Sequence, residues 1–187
     1  MSRASVVVVN YNGAEDTREC ADSLLKANSP PQLIVVDNAS SERGIEDAIA
    51  AYPNSGLIRA PSNLGFGRGN NLGIRHALSD PECEFVFLLN NDAMIEPDTI
   101  EKLEAILDDR PEAGMAAPRI VLAEAPDVLW YASGGVDWRK GVARVPGYLG
   151  PADTEDALTE GNVEFASGCA MMIRRSVLEE VGGFDPR

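Results

Sequence analysis

The chain has 187 residues, 44% of them apolar, and its 16 basic against 30 acidic side chains leave a net charge of -14. That length suits one well-buried core and is short for two domains, so residues 1–187 read as a single domain. The acidity would repel nucleic acid or an anionic membrane unless the fold gathers a basic patch, and no Lys/Arg-rich run offsets it, so nucleic-acid binding is disfavoured.

A phosphorylated ligand would need backbone N–H groups, an arginine or a divalent cation in so acidic a chain. Cys20, Cys83 and Cys169 are odd in number and widely spaced, which gives neither a disulfide framework nor a zinc site. They read as buried thiols in a reducing compartment. The amino terminus enters a strand directly, and no apolar stretch approaches the ~20 residues that span a bilayer. The expected location is cytoplasmic, with peripheral membrane association in a full-length protein.

The first strand is Ser5-Val-Val-Val-Val9, which runs into Asn10-Tyr11-Asn12-Gly13. Glu15 to Ala27 then has helical spacing, with Cys20, Ala21, Leu24 and Leu25 on one face. Leu33 to Val36 is a second strand, and it runs into Asp37-Asn38-Ala39-Ser40. A second helix is predicted from Ser41, with Ser40 and Ser41 as caps, because Ile45, Ala48, Ile49 and Tyr52 fall on one stripe before Pro53. Leu57-Ile58 is a short third strand. Residues 63–78 are Gly-rich at first and predicted helical after Asn70.

Phe85 to Leu89 is a fully apolar strand that ends in Asn90-Asn91-Asp92. Another helix opens at Pro97, where Asp98-Thr-Ile-Glu101 has the pattern of a capping box and Ile100, Leu103, Ile106 and Leu107 form the buried stripe. Alternation of this kind predicts an α/β fold, a mostly parallel sheet with helices on both faces. Residues 123–162 are predicted irregular, with short strands and a mobile loop near 151–161 that is a candidate lid. Val163 to Ile173 reads as one more strand. Ser176-Val-Leu-Glu179 is predicted to cap a last helix that Gly182-Gly183 ends.

Three apolar strands ending in Asn/Asp clusters predict one shared crevice at their carboxyl ends. Asp92 is the sharpest candidate there, since Mg²⁺ or Mn²⁺ takes one or two carboxylates when the ligand's phosphates supply the rest. An Asp after a strand is also a common turn starter. Asn90 and Asn91 suit hydrogen bonds to a ribose or a plain turn. Asp37 could accept from a base or ribose, or serve locally with Asn38.

The run from Asn63 through Gly65, Gly67 and Gly69 to Asn71 would let backbone amides approach an anion at a helix start. It matches neither G-x-G-x-x-G nor a P-loop, which disfavours a dinucleotide-binding dehydrogenase and a P-loop NTPase. His76 lies far from any Ser or Cys in a nucleophile-like setting, so a triad hydrolase is disfavoured as well. Trp130, Tyr131 and Trp138 would suit sugar stacking, but burial in the core is the commoner fate and the reading adopted for them.

Taken together, Val9-Asn-Tyr-Asn-Gly13, Val36-Asp-Asn-Ala-Ser40, Asn63-Leu-Gly-Phe, Asn70-Asn-Leu-Gly-Ile74 and Leu88-Leu-Asn-Asn-Asp-Ala93 resemble the inverting family 2 glycosyltransferases of GT-A fold. Phe165-Ala-Ser-Gly-Cys-Ala-Met-Met-Ile-Arg-Arg175 and Gly182-Gly-Phe-Asp185 extend the match, which is closest to the rhamnosyltransferase-like branch. The resemblance implies a nucleotide-diphosphate-sugar donor, such as dTDP-rhamnose or a UDP-sugar, and a glycan or glycolipid acceptor in cell-envelope polysaccharide synthesis. It implies donor contacts from Val9, Asn10, Tyr11, Asp37, Asn38, Asn63, Gly65, Asn71, Asn91 and Asp92, with Asp92 holding Mg²⁺ or Mn²⁺. Residues 1–114 would form the donor half and 115–187 the acceptor side.

Two departures stand out against the family pattern. Asn90 replaces the first Asp of its D-x-D motif, and Asn70 replaces a common Arg. The family's general base would fall beyond Arg187, so the chain is expected to be an amino-terminal part of a longer enzyme with little turnover of its own. The rival readings are a non-catalytic nucleotide-sugar or partner-binding module of the same fold, and a sugar-phosphate nucleotidyltransferase. The latter would need a basic Gly-rich loop after the first strand, where Asn10-Tyr-Asn-Gly13 stands.

Overall fold

Apolar runs that alternate with amphipathic segments build a layered α/β molecule, seen in a computed structural model that describes residues 2–53 and 55–185. The chain order is β1 (Ala4–Asn10), α1 (Ala14–Leu25), β2 (Gln32–Asp37), α2 (Ile45–Ile49), β3 (Gly56–Arg59), α3 (Gly65–Ala77), β4 (Phe85–Asn90), α4 (Thr99–Asp109) and β5 (Met115–Ala116). There follow β6 (Ile120–Leu122), β7 (Ala125–Tyr131), β8 (Gly135–Asp137), β9 (Val142–Arg144), α5 (Glu155–Leu158), β10 (Ala170–Arg174) and α6 (Arg175–Val181).

The central sheet has the order β3-β2-β1-β4-β10-β5. Its neighbours are parallel except at β10, which pairs antiparallel with both β4 and β5. The expected mostly parallel sheet is therefore present, with one reversed strand.

Successive strand residues face opposite sides of the sheet, and both sides are covered. Val6, Val8, Leu33, Val35, Phe85 and Phe87 pack with residues of α1, α2 and α4. Val7, Ile34, Val36, Val86 and Leu88 pack with Ile74 and Ala77 of α3 and Leu178 of α6. Gly73 lets α3 lie against β1, because a Cβ there would stand 2.2 Å from Val7 Cγ1.

Several boundaries differ from expectation, each for a local reason. α2 starts at Ile45 behind Gly44 at φ 110°, and Ser40 and Ser41 do not cap it. They are taken by the β1 side of the crevice: Ser40 Oγ accepts from Asn12 N, while Ser41 N and Oγ both donate to Asn12 Oδ1. α3 starts at Gly65, five residues before the predicted point, because side chains take its first free donors. Asn38 Oδ1 accepts from Leu64 N and Asn63 Oδ1 from Gly65 N, both at 2.9 Å.

The predicted capping box of α4 does not form. Asp98 pairs with Lys102 at 2.7 Å, and Glu101 accepts from Asn28 Nδ2 and Ser29 Oγ. The strand predicted over 163–173 is confined to β10, since Glu164 and Phe165 are held by β8 and β7 through Val136 N and Tyr131 OH. α6 begins at Arg175 without a Ser176 cap. Within 123–162 the expected short strands are β7, which pairs with β6 just before it, and the β8–β9 ribbon, and the loop predicted near 151–161 carries α5, which Thr154 caps. The burial expected of the three aromatics holds for Tyr131 alone, as Trp130 is 39% and Trp138 79% exposed. Cys20, Cys83 and Cys169 are free thiols, the first two buried as expected and Cys169 only partly buried.

Candidate functional site

The carboxyl ends of β1, β2 and β4 and the first turn of α3 meet at one edge of the sheet, as the strand-end clusters predicted. Asn10, last in β1 and buried, spends its side chain on structure. Its Nδ2 donates to Asp37 Oδ1 at 3.2 Å and Ser40 Oγ at 3.1 Å, and its Oδ1 accepts from Gly13 N and Thr17 Oγ1. Asp37, last in β2 and 3% exposed, also accepts from Arg59 Nη1 at 2.9 Å. Two oxygens offer about four acceptor sites, so Asp37 retains capacity for a further donor.

Asn38 is buried and ties β2 to the start of α3. Its Nδ2 donates to Asn63 Oδ1 at 2.9 Å and Gly65 O at 3.4 Å, while Oδ1 holds Leu64 N. Gly65 sits at φ 73°, a conformation that disfavours any side chain. Asn38, Asn63 and Gly65 thus form one clasp that aims the amino end of α3 at the crevice. Val9 packs its side chain beneath Gly69, and Tyr11 stands half exposed at the rim.

Asn91 Nδ2 donates to Gly13 O at 3.3 Å, joining the β4 turn to the β1 turn. Asp92 is exposed and makes no hydrogen bond or ion pair among the described residues. Two thiols lie within its field. Burial and then the Asp92 charge push Cys20 up to about 12 and Cys169 up to about 11, so both thiols are neutral near pH 7. Among the described residues no group of three or more His, Cys, Asp and Glu is gathered that could hold an ion. A lone, partnerless carboxylate fits a hard divalent cation that draws its other oxygens from a diphosphate and water.

Asn71 is placed differently from the other candidates. Its Nδ2 donates to Phe184 O at 2.7 Å and its Oδ1 accepts from Phe184 N at 2.8 Å, so it grips the Gly182–Asp185 segment. Phe184 meets Phe66 edge-on at 5.5 Å between centroids, and Phe66 lies over Gly168. Sequence reasoning missed Arg59, Phe66 and Phe184. Arg59 ends β3 beside Asp37 in register, a pairing legible only once that register is known.

This chain belongs to glycosyl transferase family 2, whose family model matches residues 5–182. It is 28% identical over 178 residues to the low-salt glycan biosynthesis hexosyltransferase Agl10 of Haloferax volcanii, an alignment covering 95% of this chain and 54% of that protein. It is 29% identical over 201 residues to the N-acetylglucosaminyl-diphospho-decaprenol L-rhamnosyltransferase of Mycobacterium tuberculosis, covering 97% and 64%. The chain therefore spans between half and two thirds of these relatives.

Among solved structures, the mannosyltransferase PcManGT from Pyrobaculum calidifontis, in complex with GDP-Man and Mn²⁺, aligns with a TM-score of 0.68 at 20% identity, covering 99% of this chain and 48% of that one. GalNAc-T7 with UDP, GalNAc and Mn²⁺ aligns at 0.74 and 16% identity, covering 98% and 36%. The shared architecture is the GT-A fold of glycosyltransferases.

Proposed function

We propose that this chain is the nucleotide-sugar-binding domain of an inverting glycosyltransferase that passes a hexosyl or rhamnosyl unit to a glycan or glycolipid acceptor. The observation that carries the reading is the exposed, partnerless Asp92 carboxylate just beyond β4, at the sheet edge where β1 and β2 also end and α3 starts, in a family 2 chain. Asp37, fixed by Asn10 and Arg59, accepts from the ribose or base, and the Tyr11 ring covers the base. The α3 amino end, whose Leu64 and Gly65 amides are already held by Asn38 and Asn63, lies toward the diphosphate and offers it the positive end of the helix dipole.

Asp92 would hold Mg²⁺ or Mn²⁺ together with the donor's diphosphate, and such a cation neutralises charge on a leaving diphosphate. Asn91 keeps the β4 turn against Gly13 and so fixes where the Asp92 carboxylate stands. No residue of the chain is assigned as general base. A relative named as a rhamnosyltransferase and another named as a hexosyltransferase support the sugar class, and the decaprenol-linked acceptor in the former's name supports a glycolipid.

Thermal unfolding with UDP, dTDP and GDP and their sugar conjugates, with and without Mn²⁺, tests the reading. A nucleotide at 100 times its Kd should stabilise by about 2.7 kcal/mol. We expect one base to be preferred and Mn²⁺ to be required, with both effects lost in Asp92→Ala. No response to any nucleotide would overturn the donor assignment, and a metal-independent response unchanged in Asp92→Ala would overturn the metal assignment.

A further inference from the structure

The β8–β9 ribbon ends in a turn over 137–141 in which Lys140 N and Gly141 N both donate to Asp137 O and Gly141 takes φ 64°. The tip carries Trp138, the most exposed large apolar residue described, at 79%, and Val142, at 51%. Residues 138–144 hold Arg139, Lys140 and Arg144 and no acidic side chain, in a chain whose net charge is -14. Arg144 is paired with Asp137 across the ribbon. The exposed Arg139 and Lys140 side chains have no ion-pair partner among the described residues.

We infer that this ribbon is a membrane-surface anchor, which seats Trp138 and Val142 at the headgroup level of an anionic bilayer while Arg139 and Lys140 meet the lipid phosphates. An indole with one polar edge is stable where apolar chains meet water, and paired basic residues gain from the negative surface potential there. Apart from its Nε1–H bond to Glu164, the indole gains nothing from the fold, since no core residue covers its apolar face. Apolar insertion and charge attraction together are what reversible anchoring requires, as either alone is weak.

The ribbon is not a loose arm. Glu164 accepts from Val136 N and from Trp138 Nε1, and Glu164 N donates to Gly134 O, so the ribbon is stapled to residue 164. A Cβ on Gly134 would stand 2.5 Å from Phe165 O, which shows how closely the backbones meet. Four residues after Phe165, Cys169 O accepts from Asn90 N at the end of β4. The ribbon is thus tied to the segment that meets the end of β4. The anchor itself stands on the ribbon's chemistry and is independent of the donor assignment.

The test is co-sedimentation of the chain with vesicles of phosphatidylcholine alone and with added phosphatidylglycerol, at low and high salt, with tryptophan emission recorded in parallel. We expect binding to the anionic vesicles only, weakened by salt, with a blue shift in emission that Trp138→Phe reduces and Trp130→Phe leaves in place. Arg139→Glu/Lys140→Glu should weaken partitioning about tenfold to thirtyfold, and Trp138→Ser should weaken it as well. All three positions are exposed at a turn, and circular dichroism and Tm of the variants report that the fold is intact. Equal binding to neutral vesicles, no binding to either, or unchanged binding by both folded variants would overturn the inference. Retention of the ribbon by a soluble anionic polymer without vesicle binding would also overturn it.

Discussion

Two strand-end carboxylates of similar sequence setting have opposite surroundings, and that contrast separates holding the site from using it. Asp37 is buried and locked by Asn10, Ser40 and Arg59, whereas Asp92 is exposed and partnerless. Replacing Arg59 with Ala strips a charged donor from a buried acceptor, a loss of about 1–3 kcal/mol. The guanidinium is 54% exposed, which puts the expected value toward the lower end and makes the urea midpoint the suitable measurement. Asp92→Ala should change stability by less than about 0.5 kcal/mol, as for surface substitutions without partners, while removing the response to Mn²⁺. The motif types at both positions were legible in the sequence. Their different burial was not, because it depends on Arg59 arriving beside Asp37 through the β2–β3 register.

At the scale of elements, consecutive arginines close two helices. Arg174 donates to the carbonyls of Leu107, Arg110 and Ala113 at the end of α4, and Arg175 to those of Leu78, Asp80 and Cys83 beyond the end of α3. Cations there satisfy carbonyls that the helices leave open. Arg175→Ala should cost about 1–3 kcal/mol by urea denaturation, and Arg175→Lys should recover little, since one ammonium cannot span three carbonyls. The Asn71 grip on Phe184 makes a second element-scale prediction. Asn71→Ala should speed hydrogen exchange at the Phe184 amide while leaving the amides of β1 and β4 protected.

Helix existence was readable from apolar spacing, whereas helix starts were not, and the reasons are specific. Gly65, Gly67 and Gly69 are poor helix formers and point to a later start for α3. Tertiary partners, Asn38 above all, override that propensity. The Asp98–Glu101 and Ser176–Glu179 patterns had the right residues at the right spacing, but Glu101 was claimed by Asn28 and Ser29 and α6 began before Ser176.

Across the whole molecule, a mostly parallel sheet with two helical layers and a crevice follows from alternating patterns in the sequence, whereas the strand order and the reversed β10 do not. In the region 123–162 short strands are legible but their bounds and pairing are not, because the strands are only three to seven residues long and lack a fully buried alternating face. The buried Cys20 and half-buried Cys169 thiols give a global pH signature. Folding raises Cys20 to about 12 and Cys169 to about 11, so the unfolded chain loses its thiol protons first, from about pH 8.5 upward. Their favourable contribution is present below that value and lost as pH climbs toward the folded values, with a slope of up to ~1.4 kcal/mol per pH unit for each thiol. Urea midpoints between pH 8 and 10 should fall, and Cys20→Ala should flatten the fall even though it lowers the starting stability.

The central claim is that Asp92 anchors a divalent cation shared with the donor diphosphate. The most direct measurement is anomalous scattering at the manganese edge from crystals of this chain grown with Mn²⁺ and the nucleotide diphosphate it prefers. The account predicts one strong peak touching an Asp92 carboxylate oxygen and the diphosphate, with the base between Tyr11 and Asp37. A nucleotide bound in that crevice with manganese absent from Asp92, or manganese held elsewhere in the chain, would contradict it.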